Sequence, residues 1–461
     1  MRCLWITRQD PRPADSGELI YTLGLLKALA AQPGMDITVL AHHPNPRPCA
    51  RGNAATDDPQ RRLEQGKASY ENGDPSAAVA HLQAARQDPR LAEEAAGLAE
   101  RITAEIEGAP KNASRFGGRG QAVNWELHGT IPSGRLRSLA STLPGDAFRL
   151  GNPVQRAELK RLLEKKWDWI VIDQAACAWA LGMIGKEQKV VYLAHNHEAT
   201  VRREVAADGR GSLPMRMALK LDATKYARME AALCRRADLI SAITPRDAEA
   251  FKKENPGKPV CVLPPGYTGS IPDGPPRPIT EESPRTVLLA GTFEWLAKRR
   301  NLESFLKAAA APFQEAKIAF QVAGKADPEW FAALARQYPW ASFAANVPSM
   351  APYLDQARIG LIPEALGGGF KLKALDYIFR GLPLASVEAA LSGVPVDPAT
   401  EAIAAPDPES LALAVAGKID DLAFLNHAAS RAVDACRHAF HWEDRGELLG
   451  RALGNPDAFR S

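Results

Sequence analysis

Apolar and polar positions follow two rhythms along this chain. Short apolar runs of four to six residues recur at Arg2–Thr7, Ile37–Ala41, Trp169–Asp173, Lys189–Ala194, Leu239–Ala242 and Val260–Pro264. Such runs predict strands buried on both faces. Between them lie longer stretches of helical or loop character, the first being Leu19–Ala31 after a Ser16-Gly17-Glu18 turn. Strands alternating with helices predict a parallel sheet covered by helices. A Pro/Gly-rich passage from Pro264 to Pro284 then interrupts the pattern, and the alternation restarts at Thr286–Ala290, Ile318–Ala323, Ile359–Ile362 and Leu384–Val387 before the chain ends in helices. The expected fold is therefore α/β, with two Rossmann-like domains: residues 1–265, a linker at 266–284, and residues 285–435. Residues 436–461 form a terminal helix.

The rhythm breaks between His42 and Asn124. Residues 57–108 are rich in alanine and charge and contain no strand candidate, which predicts an α-helical insertion in the first domain. Within it Gly66, Ala68, Tyr70, Gly73-Asp74, Ala78, Leu82, Ala85 and Pro89 fall near the pattern of one tetratricopeptide repeat. One repeat cannot bury its own face, so it must pack on the host domain, on a further helix or on another chain. A plain helical hairpin and a module that docks a protein partner both satisfy the pattern.

Composition narrows the function classes. The chain has 461 residues, 46% of them hydrophobic, and 57 Lys and Arg against 54 Asp and Glu leave a formal charge of +3. That balance gives no reason to expect a nucleic-acid partner, so any anion binding must come from local patches. Six cysteines, Cys3, Cys49, Cys177, Cys234, Cys261 and Cys436, are scattered without metal-ligand spacing, which argues against a zinc site and a disulfide framework. No apolar run approaches a membrane span, and the chain enters a strand at once without a signal-like segment. A cytoplasmic protein is expected. Arg202, Arg203, Arg216 and Lys220 could form a basic face for an anionic acceptor or for peripheral contact at the inner face of a membrane.

Candidate chemistry concentrates in PEALGGGFKLKALDYIFRGLPLAS, Pro363–Ser386. Three glycines, Gly367, Gly368 and Gly369, let backbone N–H groups approach an anion, and Lys371 or Lys373 can neutralise its charge at the start of a helix. The segment resembles the donor-binding region of retaining glycosyltransferases of the GT-B class, family 4 (group 1), in the subgroup that reads GGG, two residues, Leu-Lys, two residues, Glu. Asp376 stands at the acidic position, and Gly368 replaces the earlier glutamate of other members.

The resemblance extends along most of the chain outside the insertion. PRPADSGELIYTLGLLKALA is similar to the family's first loop and helix, with Gly17 facing the donor phosphates and Glu18 in the place of a second glycine. VVYLAHNHEATVRREVA is similar to its His-Asn-x-Glu segment, ARMEAALCRRADLISAITPRDAEAF and VCVLPPGY to the close of the first domain, and HAFHWEDRGELL to its terminal helix. The second domain opens with Gly291 followed by Thr292 where many members have arginine, and Lys298 keeps the family's lysine spacing, with Arg299 and Arg300 beside it.

This resemblance implies a glycosyltransferase that moves a sugar from a nucleoside diphosphate to an acceptor hydroxyl with retention, without metal or other cofactor, in glycan, polysaccharide or glycoconjugate biosynthesis. Lys373, Lys298 and His195 would be the catalytic groups. Gly17, Gly291, Thr292, Arg300, Val347, Ser349, Gly367, Gly368, Gly369, Phe370, Lys371, Leu372 and Asp376 would hold the donor, and Asn196, His197 and Glu198 would line the acceptor side. A glycan, a lipid-linked sugar or a protein captured by residues 57–108 could be the acceptor. A nucleotide-sugar epimerase and a catalytically degenerate scaffold, suggested by the departures at Glu18, Thr292 and Gly368, remain the competing readings.

Overall fold

Thirteen strands form two fully parallel sheets among the residues that the computed structural model describes: 1–12, 14, 16–42, 123–128, 138 and 140–460. The helical insertion expected at 57–108 lies outside the described residues. The first sheet contains β1 (Arg2–Ile6), β2 (Asp36–His42), β3 (Asn124–His128), β4 (Trp169–Asp173), β5 (Val190–Ala194), β6 (Leu239–Ala242) and β7 (Val260–Val262), in the order β3-β2-β1-β4-β5-β6-β7. Its helices are α1 (Gly17–Ala30), α2 (Gly145–Leu150), α3 (Pro153–Leu162), α4 (Glu198–Ala207), α5 (Leu213–Arg236) and α6 (Pro245–Glu254).

The second sheet contains β8 (Thr286–Thr292), β9 (Ala319–Lys325), β10 (Ala341–Ala345), β11 (Ile359–Ile362), β12 (Leu384–Val387) and β13 (Ile403–Ala405), in the order β10-β9-β8-β11-β12-β13. Around it lie α7 (Leu296–Glu315), α8 (Pro328–Gln337), α9 (Ala351–Gln356), α10 (Lys373–Phe379), α11 (Pro408–Lys418) and α12 (Leu422–Cys436), and α13 (Trp442–Gly454) follows.

Strand periodicity divides each core into two layers. Leu4 and Ile6 enter one layer of the first domain while Cys3 and Trp5 enter the other, and Val287 and Leu289 face away from Leu288 and Ala290 in the second. Strands buried on both faces need continuous apolar runs, which is why the central strands read so clearly in the sequence. β3, β10 and β13 are the strands that reading missed. Each lies at a sheet edge, and β3 (NWELH) and β10 (ASFAA) lack the apolar run of a central strand.

The chain's end returns to the first domain. Leu449, Ala452 and Leu453 of α13 share a core with Leu25 and Leu29 of α1. Contact between the two helices is close: a Cβ on Gly24 would lie 2.3 Å from the Trp442 ring, and one on Gly446 would lie 2.2 Å from the Ala28 carbonyl oxygen. Larger residues at these positions would push the helices apart. No helix among the described residues is long and apolar enough to cross a membrane.

Strand order reverses between β1 and β4 in one sheet and between β8 and β11 in the other. Such switch points open a crevice at the carboxyl ends of parallel strands. Some of the predicted site residues stand at strand ends on this side of the sheets, among them Gly291 and Thr292 at the end of β8 and His195 just after β5.

Candidate functional site

Asp173 closes β4 and is completely buried. Its carboxylate accepts hydrogen bonds from Trp5 Nε1 at 3.0 Å and Thr22 Oγ1 at 2.9 Å, and lies 2.7 Å from His195 Nε2, just beyond β5. Burial opposes its charge, but the His195 charge and the hydrogen bonds outweigh burial and hold its pKa below the usual value. The effect is mutual. Burial pulls the His195 pKa down, while the Asp173 charge and hydrogen bond more than offset it, so the imidazole retains its proton to higher pH. Tyr21 packs edge-on against the ring, with centroids 5.0 Å apart.

The residues after His195 have separate tasks. Asn196 Nδ2 donates to Glu198 Oε1 at 2.9 Å, and the other Glu198 oxygen accepts from Arg202 Nε at 3.1 Å. His197 is buried and caps α4, its Nδ1 accepting from the Thr200 N–H at 3.3 Å while its ring packs on Phe251. Glu230, a residue the sequence reading did not select, accepts from Tyr192 Oη, Ala199 N and Glu198 N at 2.7, 2.7 and 3.1 Å. It therefore holds the start of α4 from below, and burial pushes its pKa up to about 8.

Across the cleft, β8 ends in Gly291-Thr292, and the segment after β11 carries Glu364 and the glycine triplet. Lys373 Nζ donates to the Glu364 carboxylate and to the Ala290 carbonyl at 3.2 Å. Glu364 is buried; burial alone would raise its pKa, but Lys373 and Lys371 hold it below the usual value. Its second oxygen has no hydrogen-bond partner among the described residues. Lys298 donates to Thr292 Oγ1 at 2.9 Å, and burial, with the charge of Lys373 added, lowers its pKa to about 8. Lys371 donates to the Gly368 carbonyl, and burial lowers its pKa too. Lys373 thus pairs directly with the one buried carboxylate, and Lys371 and Lys298 stand close enough for their charges to act on it. Glu364 belongs to the stretch singled out in the sequence, nine residues before its partner Lys373, and Lys373 in turn ties the segment to β8 through the Ala290 carbonyl.

The glycine triplet brings the two domains into contact. Gly369 has φ +70°, and a Cβ there would lie 2.5 Å from Asn196 Oδ1 and 2.7 Å from the His195 carbonyl oxygen. Gly367 also has positive φ, at +105°. Gly17, at the start of α1, faces Leu372, whose Cδ1 would be 3.4 Å from a Cβ at that glycine. Glu18 pairs with Arg8 at 3.7 Å, so the carboxylate that replaces a glycine has its own counter-ion.

Other predicted residues lie elsewhere. Arg300 is buried between the domains, where it donates to the Val205 and Arg210 carbonyls at 3.0 and 2.9 Å and pairs with Asp208 at 2.8 Å. These partners make it an interdomain tie instead of a free cation at the lysine cluster. Asp376 accepts from Tyr267 Oη at 3.1 Å. Phe370 packs on Phe440 with centroids 5.4 Å apart, Ser349 Oγ accepts from Ala351 N at 3.2 Å, and Val347 is half-buried in the turn after β10. Among the described residues no group of three or more His, Cys, Asp and Glu could hold a metal ion, and the five described cysteines are buried and free.

Residues 284–421 match the family described as Glycosyl transferases group 1. No curated protein matches the chain by sequence. Solved structures that superpose on it include the sucrose-phosphate synthase of Thermosynechococcus elongatus, at 16% identity and TM-score 0.61 over 99% of both chains. An Escherichia coli trehalose-6-phosphate synthase structure bound with UDP-2-fluoro glucose superposes at 12% identity and TM-score 0.58 over 99% of both. Anabaena HepE in complex with UDP and glucose does so at 11% identity and TM-score 0.56, over 98% of this chain and 99% of that one. The two-domain GT-B fold is thereby shown.

Proposed function

We propose that this protein is a retaining glycosyltransferase that takes a sugar from a nucleoside diphosphate and passes it to an acceptor hydroxyl in glycan or glycoconjugate biosynthesis. The observation that carries the reading is the cluster of Lys298, Lys371 and Lys373 around Glu364, set at the strand ends beside the glycine triplet and against the His195 segment. The match of residues 284–421 to Glycosyl transferases group 1 supports it, and the neighbours solved with UDP or a UDP-sugar make uridine the first base to try.

The chemistry follows from charge. As the bond between sugar and phosphate stretches, negative charge builds on the leaving diphosphate, and cations already in place lower that barrier. Lys373 and Lys298 supply the cations, with Glu364 fixing the ammonium of Lys373. Glu364 also offsets the mutual repulsion of three like charges before a donor arrives. His195, anchored through Nε2 by Asp173, presents its remaining ring edge to the sugar as an orienting and polarising group. In the retaining reading, a phosphate oxygen takes the acceptor proton on the face the diphosphate leaves. No step requires a metal.

Thermal stabilisation across a panel of nucleoside diphosphates and their sugars tests the reading, with Lys373→Ala as control. One diphosphate should raise the Tm of the parent and leave the variant unmoved, because a ligand stabilises the state it binds. No response to any member, with or without added divalent metal, would favour a catalytically degenerate cleft. The anomeric configuration of the product, read by NMR, then decides between retention and inversion.

A further inference from the structure

Helix α5 begins away from the body of the first domain. Every residue from Gly211 to Ala218 is exposed among the described residues, as are Lys220 and Leu221. Leu213, Met215, Met217 and Leu221 are four of the six large apolar side chains exposed in the described chain, so unburied apolar surface concentrates here. Leu213 and Met217 are 66% and 64% exposed.

The arrangement is ordered. Leu213, Met217 and Leu221 are spaced four apart and form one row along the helix, about 12 Å long. Arg216 and Lys220, each one residue earlier, form a second row beside it. Neither basic side chain has a hydrogen bond or ion pair among the described residues. Arg202, by contrast, is engaged by Glu198, Asp146 and Asp222 at 3.1, 3.5 and 3.6 Å, and Arg210 by Asp208 and Ser304. Residues 209–221, GRGSLPMRMALKL, contain three basic residues and no acidic one.

We propose that this end of α5 docks on an anionic lipid bilayer. The apolar row enters the boundary between headgroups and acyl chains, and Arg216 and Lys220 meet the lipid phosphates. An apolar face flanked by basic residues has this complementarity, and a contact of a few side chains gives reversible binding. The surface lies at one end of α4, whose other end begins beside His195, about 15 Å away. The inference does not depend on the transferase reading, because vesicle binding requires no donor.

Co-sedimentation of the full-length protein with vesicles tests it, using phosphatidylcholine alone and phosphatidylcholine mixed with phosphatidylglycerol. The parent should bind the mixed vesicles, bind neutral ones far less, and be released by salt. Leu213→Glu/Met217→Glu and Arg216→Glu/Lys220→Glu should each lose about tenfold in binding while keeping the parent's Tm and its donor response. Absence of parent binding, or binding that both variants retain, overturns the proposal. So does a fall in Tm or a change of oligomeric state in the Leu213→Glu/Met217→Glu variant, which would show that the row is covered by another part of this chain or by a second copy.

Discussion

His195 Nε2 lies 2.7 Å from an Asp173 carboxylate that has no exposure to solvent and is also held by Trp5 and Thr22. Burial works against both charges, yet the Asp173 pKa is lowered and the His195 pKa raised, because each charge stabilises the other. Asp173→Asn keeps the shape and removes the charge. The His195 ring, followed by NMR, should then titrate at lower pH than in the parent. The stability consequence has a definite sign: a histidine with a raised folded pKa stabilises fully below its unfolded value, near 6.5, and that contribution disappears as pH rises through the folded pKa. Denaturation should therefore show the parent's advantage over Asp173→Asn shrinking as pH rises through that window.

Lys373 and Glu364 form a buried pair in which removal of one partner exposes the other's cost. Lys373→Met leaves Glu364 with its carboxylate buried beside Lys371 and Lys298 only, and should destabilise the fold by about 3–5 kcal/mol at most. Adding Glu364→Gln removes the stranded charge. The double variant should recover stability relative to Lys373→Met but not donor binding, because no ammonium remains at that position. Urea unfolding of the four members of the cycle, with donor titration of each, separates the structural role of the pair from its role in binding.

Lys298 predicts how donor binding varies with pH. Burial and the neighbouring Lys373 charge place its pKa at about 8, so below that pH it carries its proton and above it the free protein loses the charge. A diphosphate brought next to it raises the pKa again. Binding and protonation are linked, and affinity for the diphosphate should be flat below about pH 8 and fall above it by up to tenfold per pH unit. Lys298→Arg, which stays charged throughout, should flatten the profile. Calorimetric titrations from neutral to alkaline pH give the answer, and an unchanged slope in the variant would remove Lys298 from the binding set.

The readable and unreadable parts of this protein differ in physical origin. β1, β4, β5, β8 and β11 are buried on both faces, and nothing but an apolar run can fill such positions, so the two-domain α/β architecture was legible. β3, β10 and β13 lie at sheet edges, where one flank lacks a neighbouring strand and the apolar requirement is weaker. At the site, Lys373 and the glycine triplet were legible because several specialised residues stand close together in the chain. Asp173 was read only as the end of a strand; its partners Trp5, Thr22 and His195 are separated from it by 168, 151 and 22 positions. Arg300 read as part of a basic run, whereas its environment is set by Val205, Asp208 and Arg210 in the other domain.

Gly369 offers the most direct test of how the domains meet. Two separate demands fall on it: φ of +70°, which costs an ordinary residue about 1–2 kcal/mol, and the lack of room for a Cβ 2.5 Å from Asn196 Oδ1 and 2.7 Å from the His195 carbonyl oxygen. Gly34 isolates the first demand, with φ +76° and nothing within 4 Å of where a Cβ would stand. Gly34→Ala should therefore lower stability by about 1–2 kcal/mol and leave sugar transfer unchanged. Gly369→Ala carries the same backbone cost and also forces the glycine loop away from the His195 segment. Transfer should fall by at least about tenfold even at temperatures where the fold is intact, since a displacement near 1 Å at reacting groups has that effect or more. Small-angle scattering should show this variant to be more open than the Gly34→Ala protein. Equal losses of activity in the two variants would mean that backbone strain alone accounts for the effect and that contact between loop and segment is not required for transfer.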